Sequence, residues 1–336
     1  MNTIIKYGAF VLAVLLVISV GIRIWTDSLI PKDTLQAAAA TDFSSEDTAP
    51  STEATAAPTF PKNIPITWNT YPADRQLTAR KAFVYDCVSD SFSYIHGSEE
   101  DTVYPASITK LFALHVALLY LDPAQTVTAG DALDLIGELS SVAEIQKGDV
   151  LTVDMLVQGT LMPSGCDATY ILAAETGRLL AGDSTLSATD AVKIFVEEMN
   201  KQAALNGMTG THFVTPDGNH DENHYTCLRD LVTIAKLVMA NETMMQYTHI
   251  GKATVTFESG RSQTWENTNL LLTPSSPYYC PYNIGLKTGR TNEAGSCLLS
   301  VFDFDGSRCI IGVFDCPQRE DRFDDALQLL NQFLEN

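Results

Sequence analysis

The order of strand-like and helix-like segments constrains the fold of this 336-residue chain more than any other feature. Two strand patterns, at 81–87 and 92–96, flank the polar turn Ser89-Asp90-Ser91 and predict a hairpin. A stretch with mostly helical periodicity follows, from about 131 to 258, and the pattern then returns to strands. Because strands at both ends of the chain must bury their apolar faces, we predict that they meet in one sheet.

The individual segments indicate the architecture. Helical patterns cover 153–161, 168–176, 190–205 and 228–239, and a final amphipathic helix covers 322–334. Strand patterns cover 253–258, 283–287, 295–304 and 309–315. We therefore predict an α+β fold (α/β sandwich), in which an antiparallel sheet is covered by helices and the middle helices form an inserted all-helical lobe. A cleft between this lobe and the sheet is the expected site.

Charge excludes one class of function. The chain has 41 acidic and 21 basic residues, for a formal net charge of −20. Nucleic-acid binding needs a basic face that neutralises phosphates, and no such cluster is visible in the sequence. We expect no nucleic-acid partner.

The N-terminus predicts export. Residues 7–22 carry no charge, Lys6 and Arg23 flank them, and neighbouring apolar residues can extend the run toward the length of a membrane span. We expect residues 1–25 to be an uncleaved anchor; the alternative is a signal peptide cleaved near residues 37–40, which would release a secreted protein. Either way, the folded part is expected outside the cytoplasm, at the extracytoplasmic face of a bacterial membrane if the anchor stays.

A spacer follows the anchor. Residues 26–76 are rich in alanine, serine, threonine, proline and acidic residues, which predicts a disordered spacer and a short lead-in to a folded domain at 77–336. The seven cysteines show no paired spacing, so no disulfide framework is expected. One bridge, between Cys297 and Cys309 on neighbouring strands, and fully free thiols both remain open.

The stretch from Tyr104 to Lys110 carries the first chemical signal. Pro105 suits the first turn of a helix, so Ser107 is expected near a helix N-terminus, with Lys110 one turn later on the same face. Residues 111–121 are apolar almost all round, which indicates a buried helix. A desolvated amine can take the proton of a nearby serine. The alternative is that the Lys110 side chain extends to solvent from an ordinary core helix.

Two further motifs follow in a fixed order. Ser164-Gly165-Cys166 falls in the break between two predicted helices, and Lys287-Thr288-Gly289 ends a predicted strand. Ser-x-x-Lys, then a serine motif, then Lys-Thr-Gly is the order found in penicillin-binding proteins and β-lactamases, which acylate a serine. Each motif alone is weak, but the three in order and in the expected structural context are a specific signal.

The chain resembles the low-molecular-mass penicillin-binding proteins that are serine-type D-alanyl-D-alanine carboxypeptidases. The similar stretches lie between residues 77 and 336, at 104–110, 162–173, 211–236, 265–272, 285–298 and 321–326. The resemblance implies a β-lactamase/D,D-peptidase-like fold, a monomer, no cofactor and no metal. It also implies peptidoglycan stem peptides ending in D-Ala-D-Ala as substrate and β-lactam antibiotics as inhibitors. Many members carry a further β-rich domain, which we expect to be absent here.

The resemblance also implies the site. Ser107 would attack the carbonyl of the terminal D-Ala-D-Ala bond, Lys110 would take its proton, and Ser164 would relay that proton to the leaving amine. Positive charge on Lys287 would keep Lys110 neutral. The implied catalytic residues are thus Ser107, Lys110 and Ser164, and the implied substrate-binding residues are Cys166, Lys287, Thr288, Gly289, Arg290 and Thr291.

Some of these substrate contacts have particular roles. Thr288 would hydrogen-bond the substrate carboxylate, and Arg290 would be either a second group that binds it or a solvated cation at the rim. The oxyanion hole would combine the N–H of Ser107 with one near Thr291. Cys166 stands where asparagine is commoner, and its thiol is a weaker hydrogen-bonding group. Cys166 as the nucleophile is an alternative, but no histidine motif accompanies it.

Three other interpretations stay open. His212, His220 and His224, with Asp217 and Asp221, have spacings that a metal site can use, although the segment is rich in turns. A β-lactamase would need a deacylating glutamate; residues 197–200 are the nearest candidate, and they lie inside a periodic helix. A catalytically silent peptidoglycan-binding protein would keep the cleft without the reaction.

Overall fold

The computed structural model describes residues 64, 66–72 and 75–335. A five-stranded antiparallel sheet, in the order β2-β1-β11-β10-β9, forms its centre. The strands are β1 (Lys81–Asp86), β2 (Ser91–His96), β9 (Asn283–Thr291), β10 (Gly295–Phe304) and β11 (Ser307–Cys316). Strands from both ends of the chain therefore meet in one sheet, as the order of patterns predicts.

The contact between the two ends is tightly packed. Phe83 in β1 pairs with Gly312 in β11, and both strands are almost fully buried. A Cβ atom at Gly312 would lie 2.2 Å from the Phe83 ring, so glycine is needed there to leave room for the aromatic side chain. This pairing joins the N-terminal hairpin to the C-terminal strands.

Helices cover both faces of the sheet. The last helix, α7 (Asp321–Glu335), packs Phe323, Leu327 and Leu330 against alternate residues of β11 on one face. The opposite face packs on the helical lobe. Side chains that follow one another along a strand therefore point alternately into the two cores. The α+β prediction is confirmed.

The remaining helices lie on the lobe side of the sheet. They are α1 (Thr109–Ala117), α2 (Val153–Leu161), α3 (Cys166–Ala181), α4 (Ala188–Leu205), α5 (Leu228–Met239) and α6 (Glu242–Thr248). Thr152 and Ser187 cap α2 and α4 by accepting hydrogen bonds from backbone N–H groups of the first turn. A Cβ at Gly177 in α3 would lie 1.9 Å from the Ala191 carbonyl, so α3 and α4 pack with their backbones in contact.

Short strand pairs connect these elements. They are β3 (Thr102–Val103) with β6 (Thr226–Cys227), β4 (Thr126–Thr128) with β5 (Val150–Thr152), and β7 (Lys252–Thr256) with β8 (Ser262–Glu266). The sequence patterns include β7 but omit its partner β8. Most residues of β8 are polar or exposed, so little apolar alternation marks it.

The described part of the lead-in packs on α7. Trp68 is buried and donates its indole N–H to Asn331 at 2.7 Å, and Tyr71 donates to Asp324 at 2.5 Å. The expected anchor and most of the expected spacer lie outside the described residues. Within the part of the chain that the structure describes, no helix is long and apolar enough to cross a membrane.

All seven cysteines are free thiols. Cys297 pairs with Gly289 and Cys309 pairs with Phe302, so the two residues are not register partners. They also belong to separate cores on opposite faces of the sheet. The bridge between Cys297 and Cys309 that the sequence left open is therefore absent.

Candidate active site

Ser107 lies in a tight turn at the start of α1. Residues Ala106–Ile108 form a 3-10 helix that runs directly into α1, and Pro105 precedes it. Ala106 has a φ of 48°, an uncommon value for a residue with a Cβ, and this conformation sets the direction of the turn. Ser107 is half-buried, so the residue is partly open to solvent.

Lys110 is buried with its amine directed at Ser107. Its side chain is fully inaccessible to solvent, which rules out the alternative that it extends to solvent. The amine Nζ lies 2.8 Å from Ser107 Oγ and donates to the backbone carbonyl of Asp217 at 2.9 Å. The predicted spacing of one helical turn therefore produces a serine and a lysine in hydrogen-bond contact.

The second motif occupies the break between α2 and α3. Ser164 is buried and has a φ of 64°, and Cys166 is the first residue of α3. Asp167 holds this turn, because its carboxylate accepts the N–H of Ala143 at 2.8 Å and of Ile145 at 3.0 Å. This structural role of Asp167 is absent from the sequence prediction.

Cys166 is a poor candidate nucleophile. Its thiol is buried, and burial, followed by the nearby Asp217 carboxylate, raises the pKa of the Cys166 thiol above its ordinary value. A reactive cysteine needs surroundings that stabilise the thiolate, and these surroundings on balance favour the neutral thiol. Cys166 is therefore suited to donate a hydrogen bond within the site.

The third motif lies within β9, which continues to Thr291 beyond its predicted end. Lys287 is buried, and its amine donates to the Thr288 carbonyl at 3.0 Å. The Thr288 hydroxyl lies 2.6 Å from that of Thr268. At Gly289, an added Cβ would lie 2.8 Å from the Pro105 carbonyl and 3.1 Å from Ser107 N, so the strand passes directly beside the nucleophile.

The last two residues predicted for the site lie at the end of β9. Arg290 is exposed, which fits the rim position more closely than a buried carboxylate-binding position. Thr291 is half-buried, and its hydroxyl accepts the N–H of Ala294 at 3.0 Å in the turn to β10.

The electrostatics of Lys287 differ from the expectation. Burial lowers the pKa of Lys287 well below its ordinary value, and the nearby Lys110 and Arg322 cations lower it further. Positive charge on Lys287 was expected to keep Lys110 neutral. The structure instead disfavours the ammonium form of Lys287, and a bound substrate carboxylate would favour it again.

Arg322 supplies a buried cation that the sequence reasoning did not assign. It lies on α7 behind β9 and donates to the carbonyl of Gly289 at 3.1 Å and that of Cys297 at 3.5 Å. Burial lowers the pKa of Arg322 to about 10, so the guanidinium stays charged at neutral pH. The only sequence signal was its place in the similar stretch at 321–326.

Comparisons with known proteins agree with this geometry. A family profile described as D-alanyl-D-alanine carboxypeptidase matches residues 68–318. The chain belongs to this family. Among the relatives, a D-alanyl-D-alanine carboxypeptidase of Streptomyces sp. strain K15 is 32% identical over 234 residues, which are 67% of this chain and 77% of the relative. DacF of Bacillus subtilis is 24% identical over 238 residues, but the match spans only 57% of that relative.

Solved structures show the same fold. The Streptomyces K15 DD-transpeptidase superimposes with a TM-score of 0.70 at 28% identity, covering 78% of this chain and 99% of that one. Penicillin-binding protein D2 of Listeria monocytogenes, in its ampicillin-bound form, gives a TM-score of 0.60 at 27% identity and covers 76% of this chain and 97% of its own. Membership of the carboxypeptidase family confirms the predicted family, fold and serine-hydrolase class.

His224 of this carboxypeptidase has structural contacts. His224 is buried; its Nδ1 accepts the N–H of Val214 at 3.1 Å, and its Nε2 lies 2.8 Å from the Thr109 hydroxyl. The backbone donors assign the proton to Nε2, so His224 donates to Thr109. Among the described residues, no group of three or more histidine, cysteine, aspartate or glutamate side chains is arranged to hold a metal ion.

We expect His224 to make stability depend on acid pH. Burial lowers the pKa of His224 from 6.5 to about 4. Between these values the unfolded chain binds the extra proton, so the free energy of unfolding falls as pH falls, by about 3 kcal/mol in total. Urea unfolding at several pH values should show a shallower pH dependence in His224→Gln over this window. His96→Gln, at an exposed position on β2, should keep the full dependence; equal slopes in all three proteins would contradict the assignment.

Proposed function

We propose that this chain is a D-alanyl-D-alanine carboxypeptidase that removes the terminal D-alanine from peptidoglycan stem peptides through an acyl-enzyme on Ser107. The observation that carries the proposal is the 2.8 Å contact between the buried Lys110 amine and Ser107 Oγ, beside strand β9. A nucleophile within hydrogen-bond reach of a base is the arrangement that serine acylation requires. Penicillins, which acylate the same kind of serine, are expected to inhibit it.

The substrate would lie along β9. In the described part of the chain this strand is at the edge of the sheet, paired only with β10. An extended peptide can add to such an edge through main-chain hydrogen bonds. The Thr288 hydroxyl and the Lys287 amine would then meet the terminal carboxylate, with Arg322 adding positive potential from behind the strand.

The reaction would proceed in two steps. Ser107 Oγ attacks the carbonyl of the terminal peptide bond while Lys110 takes its proton, and Ser164 passes that proton to the departing D-alanine. The developing oxyanion would be stabilised by the N–H of Ser107 and one near Thr291. Water then hydrolyses the ester, with Lys110 again as base.

A β-lactamase function has less support. The candidate glutamate segment lies inside α4, and Glu198 is engaged by Tyr120 at 2.6 Å, Gln202 at 2.6 Å and Lys201 at 2.9 Å. A glutamate with three partners on the helix and its neighbour acts as a structural group. It is not free to activate a water for deacylation.

The location and assembly are further parts of the proposal. We place the enzyme at the extracytoplasmic face of the bacterial membrane, anchored through residues 1–25, as a monomer without metal or cofactor. The apolar run at residues 7–22, between Lys6 and Arg23, supports the anchor. The acidic spacer would hold the catalytic domain away from the membrane surface.

One experiment separates the candidate functions. The full-length protein is incubated with benzylpenicillin and with a pentapeptide ending in D-Ala-D-Ala, and the adduct mass and D-alanine release are followed. We expect a lasting adduct mapped to Ser107 together with D-alanine release, and neither in Ser107→Ala. Rapid penicillin turnover without D-alanine would favour a β-lactamase. Absence of both adduct and D-alanine would favour a silent peptidoglycan-binding protein.

A further inference from the structure

A buried carboxylate lies in the site without a role in the reaction proposed above. Asp217 is 4% exposed and lies in the turn at residues 215–219, where its Oδ1 accepts the N–H of Asn219 at 3.1 Å. This turn packs against the residue that precedes Ser107, because a Cβ at Gly218 would lie 1.8 Å from the Ala106 carbonyl oxygen. The backbone around Asp217 is therefore fixed relative to Ser107.

Asp217 contacts Lys110 through its backbone, and its carboxylate belongs to the same buried turn. The backbone carbonyl accepts the Lys110 amine at 2.9 Å. Burial by itself would raise the pKa of the Asp217 carboxyl, but the Lys110 charge and hydrogen bonds from Asn219 and Cys166 lower this pKa below its ordinary value. The Asp217 carboxyl is thus favoured in its ionised form when Lys110 carries a charge, and it belongs to the residue whose carbonyl holds the Lys110 amine.

The other titratable groups around this pair come from several elements. Cys166 and Tyr170 on α3 both have raised pKa values, caused first by burial and then by neighbouring groups that include the Asp217 anion, so both stay neutral. Buried His224, with a pKa of about 4, is also neutral near pH 7. Burial and the Lys110 and Arg322 cations disfavour the ammonium form of Lys287 on β9. Asp217 is the group in this set that favours a cation on Lys110.

We propose that Asp217 is the positioning residue of the acylation base: its carbonyl orients the Lys110 amine toward Ser107, and its carboxylate stabilises the ammonium that forms when Lys110 takes the Ser107 proton. This inference rests on the proposed function, because it assigns a partner to the base of that reaction. The logic is that of a triad, in which a third group orients the base and stabilises its charged form.

A single proton moves during the acylation of Ser107, and each of its positions can be stated. As the bond from Ser107 Oγ to the substrate carbonyl carbon forms, the hydroxyl proton moves to the neutral Lys110 amine. The ammonium then exists beside the Asp217 carboxylate until the carbon–nitrogen bond breaks. At that point the proton passes to the leaving amine, and Lys110 is neutral again.

The test is the pH profile of acylation in Asp217→Asn. Asparagine keeps the size of the side chain and an oxygen for the Asn219 N–H, but it removes the charge. The Lys110 ammonium is less stable without the Asp217 anion. We therefore expect the acid limb of the pH profile of benzylpenicillin acylation to move to lower pH by about one unit or more. The plateau rate should fall at least about tenfold, the factor that corresponds to one such unit. The penicillin concentration that gives half of the maximal acylation rate should change by a smaller factor than the plateau rate.

Matched variants separate this role from a structural one. Glu222→Gln, at an exposed position in the same loop, should leave the limb and the plateau unchanged. Asp217→Glu, which restores the charge, should return the limb toward that of the wild type. If Asp217→Asn does not fold, Asp217→Ser gives the same readout with a short side chain that can still cap the turn. The inference is overturned if the wild type forms the Ser107 adduct and Asp217→Asn keeps both the acid limb of the wild type and a plateau rate within about twofold of it. A wild type that forms no adduct would instead overturn the proposed function.

Discussion

Replacing Lys110 with alanine should leave the protein folded and reduce the acylation of Ser107 by about 10²- to 10⁴-fold, the usual contribution of a general base. The amine lies 2.8 Å from Ser107 Oγ, and the described residues place no other amine in hydrogen-bond contact with that hydroxyl. The measurement is the rate of benzylpenicillin adduct formation by mass spectrometry. Far-ultraviolet circular dichroism and a thermal melt establish that the variant is folded.

The matched control for this substitution is Lys193→Ala. Lys193 is exposed on α4, where it pairs with Asp190, one turn away, at 3.0 Å. Such surface pairs contribute little to stability, so the control should acylate at the rate of the wild type and melt close to it. If Lys110→Ala is folded and acylates at the original rate, Lys110 is not the base.

Replacing Gly289 with alanine is expected to have the next largest effect, a loss of acylation of about 10²-fold from displacement of reacting groups by roughly an ångström. The new Cβ would lie 2.8 Å from the Pro105 carbonyl and 3.1 Å from Ser107 N. Either β9 or the turn with Ser107 must therefore move. The Ser107 N–H, which we propose as an oxyanion donor, would then lose its position relative to β9.

The control for the glycine substitution uses a position with room. At Gly130 the nearest atom to an added Cβ is the Thr128 carbonyl at 4.0 Å. Gly130→Ala should therefore leave the acylation rate unchanged. Both variants are compared by the same adduct assay below their melting temperatures. A Gly289→Ala enzyme with the wild-type rate would show that the strand and the turn adjust to the methyl group without disturbing catalysis.

The local parts of the fold and site follow from the sequence. The i,i+3 spacing of Ser107 and Lys110 places both on one face of a helix, and the apolar residues after them predict its burial. The strand patterns at 295–304 and 309–315 predict β10 and β11, which the structure confirms. In each case the determining interactions are between near neighbours in the chain.

The parts that could not be predicted depend on residues far apart in the chain. Arg322 reaches β9 only because α7 packs across the sheet, and no local pattern marks it as part of the site. Asp217 resembles a surface turn residue in the sequence, where it suggested only a metal site, yet the packing of Gly218 on Ala106 places it beside Lys110. The charge of Lys287 likewise depends on burial and on two cations from other elements.

The pairing of β1 with β11 has a consequence for how the protein folds. Lys81 pairs with Phe314, so closing the central sheet joins residues roughly 230 positions apart, and the chain entropy of this closure must be lost before the contact stabilises anything. Contacts of such long range slow folding, whereas the helices of the lobe depend on local contacts and can form early. Strands β9, β10 and β11 are synthesised after the lobe helices. The sheet that carries Lys287 is therefore completed late, and catalytic competence should be acquired in the later stages of folding.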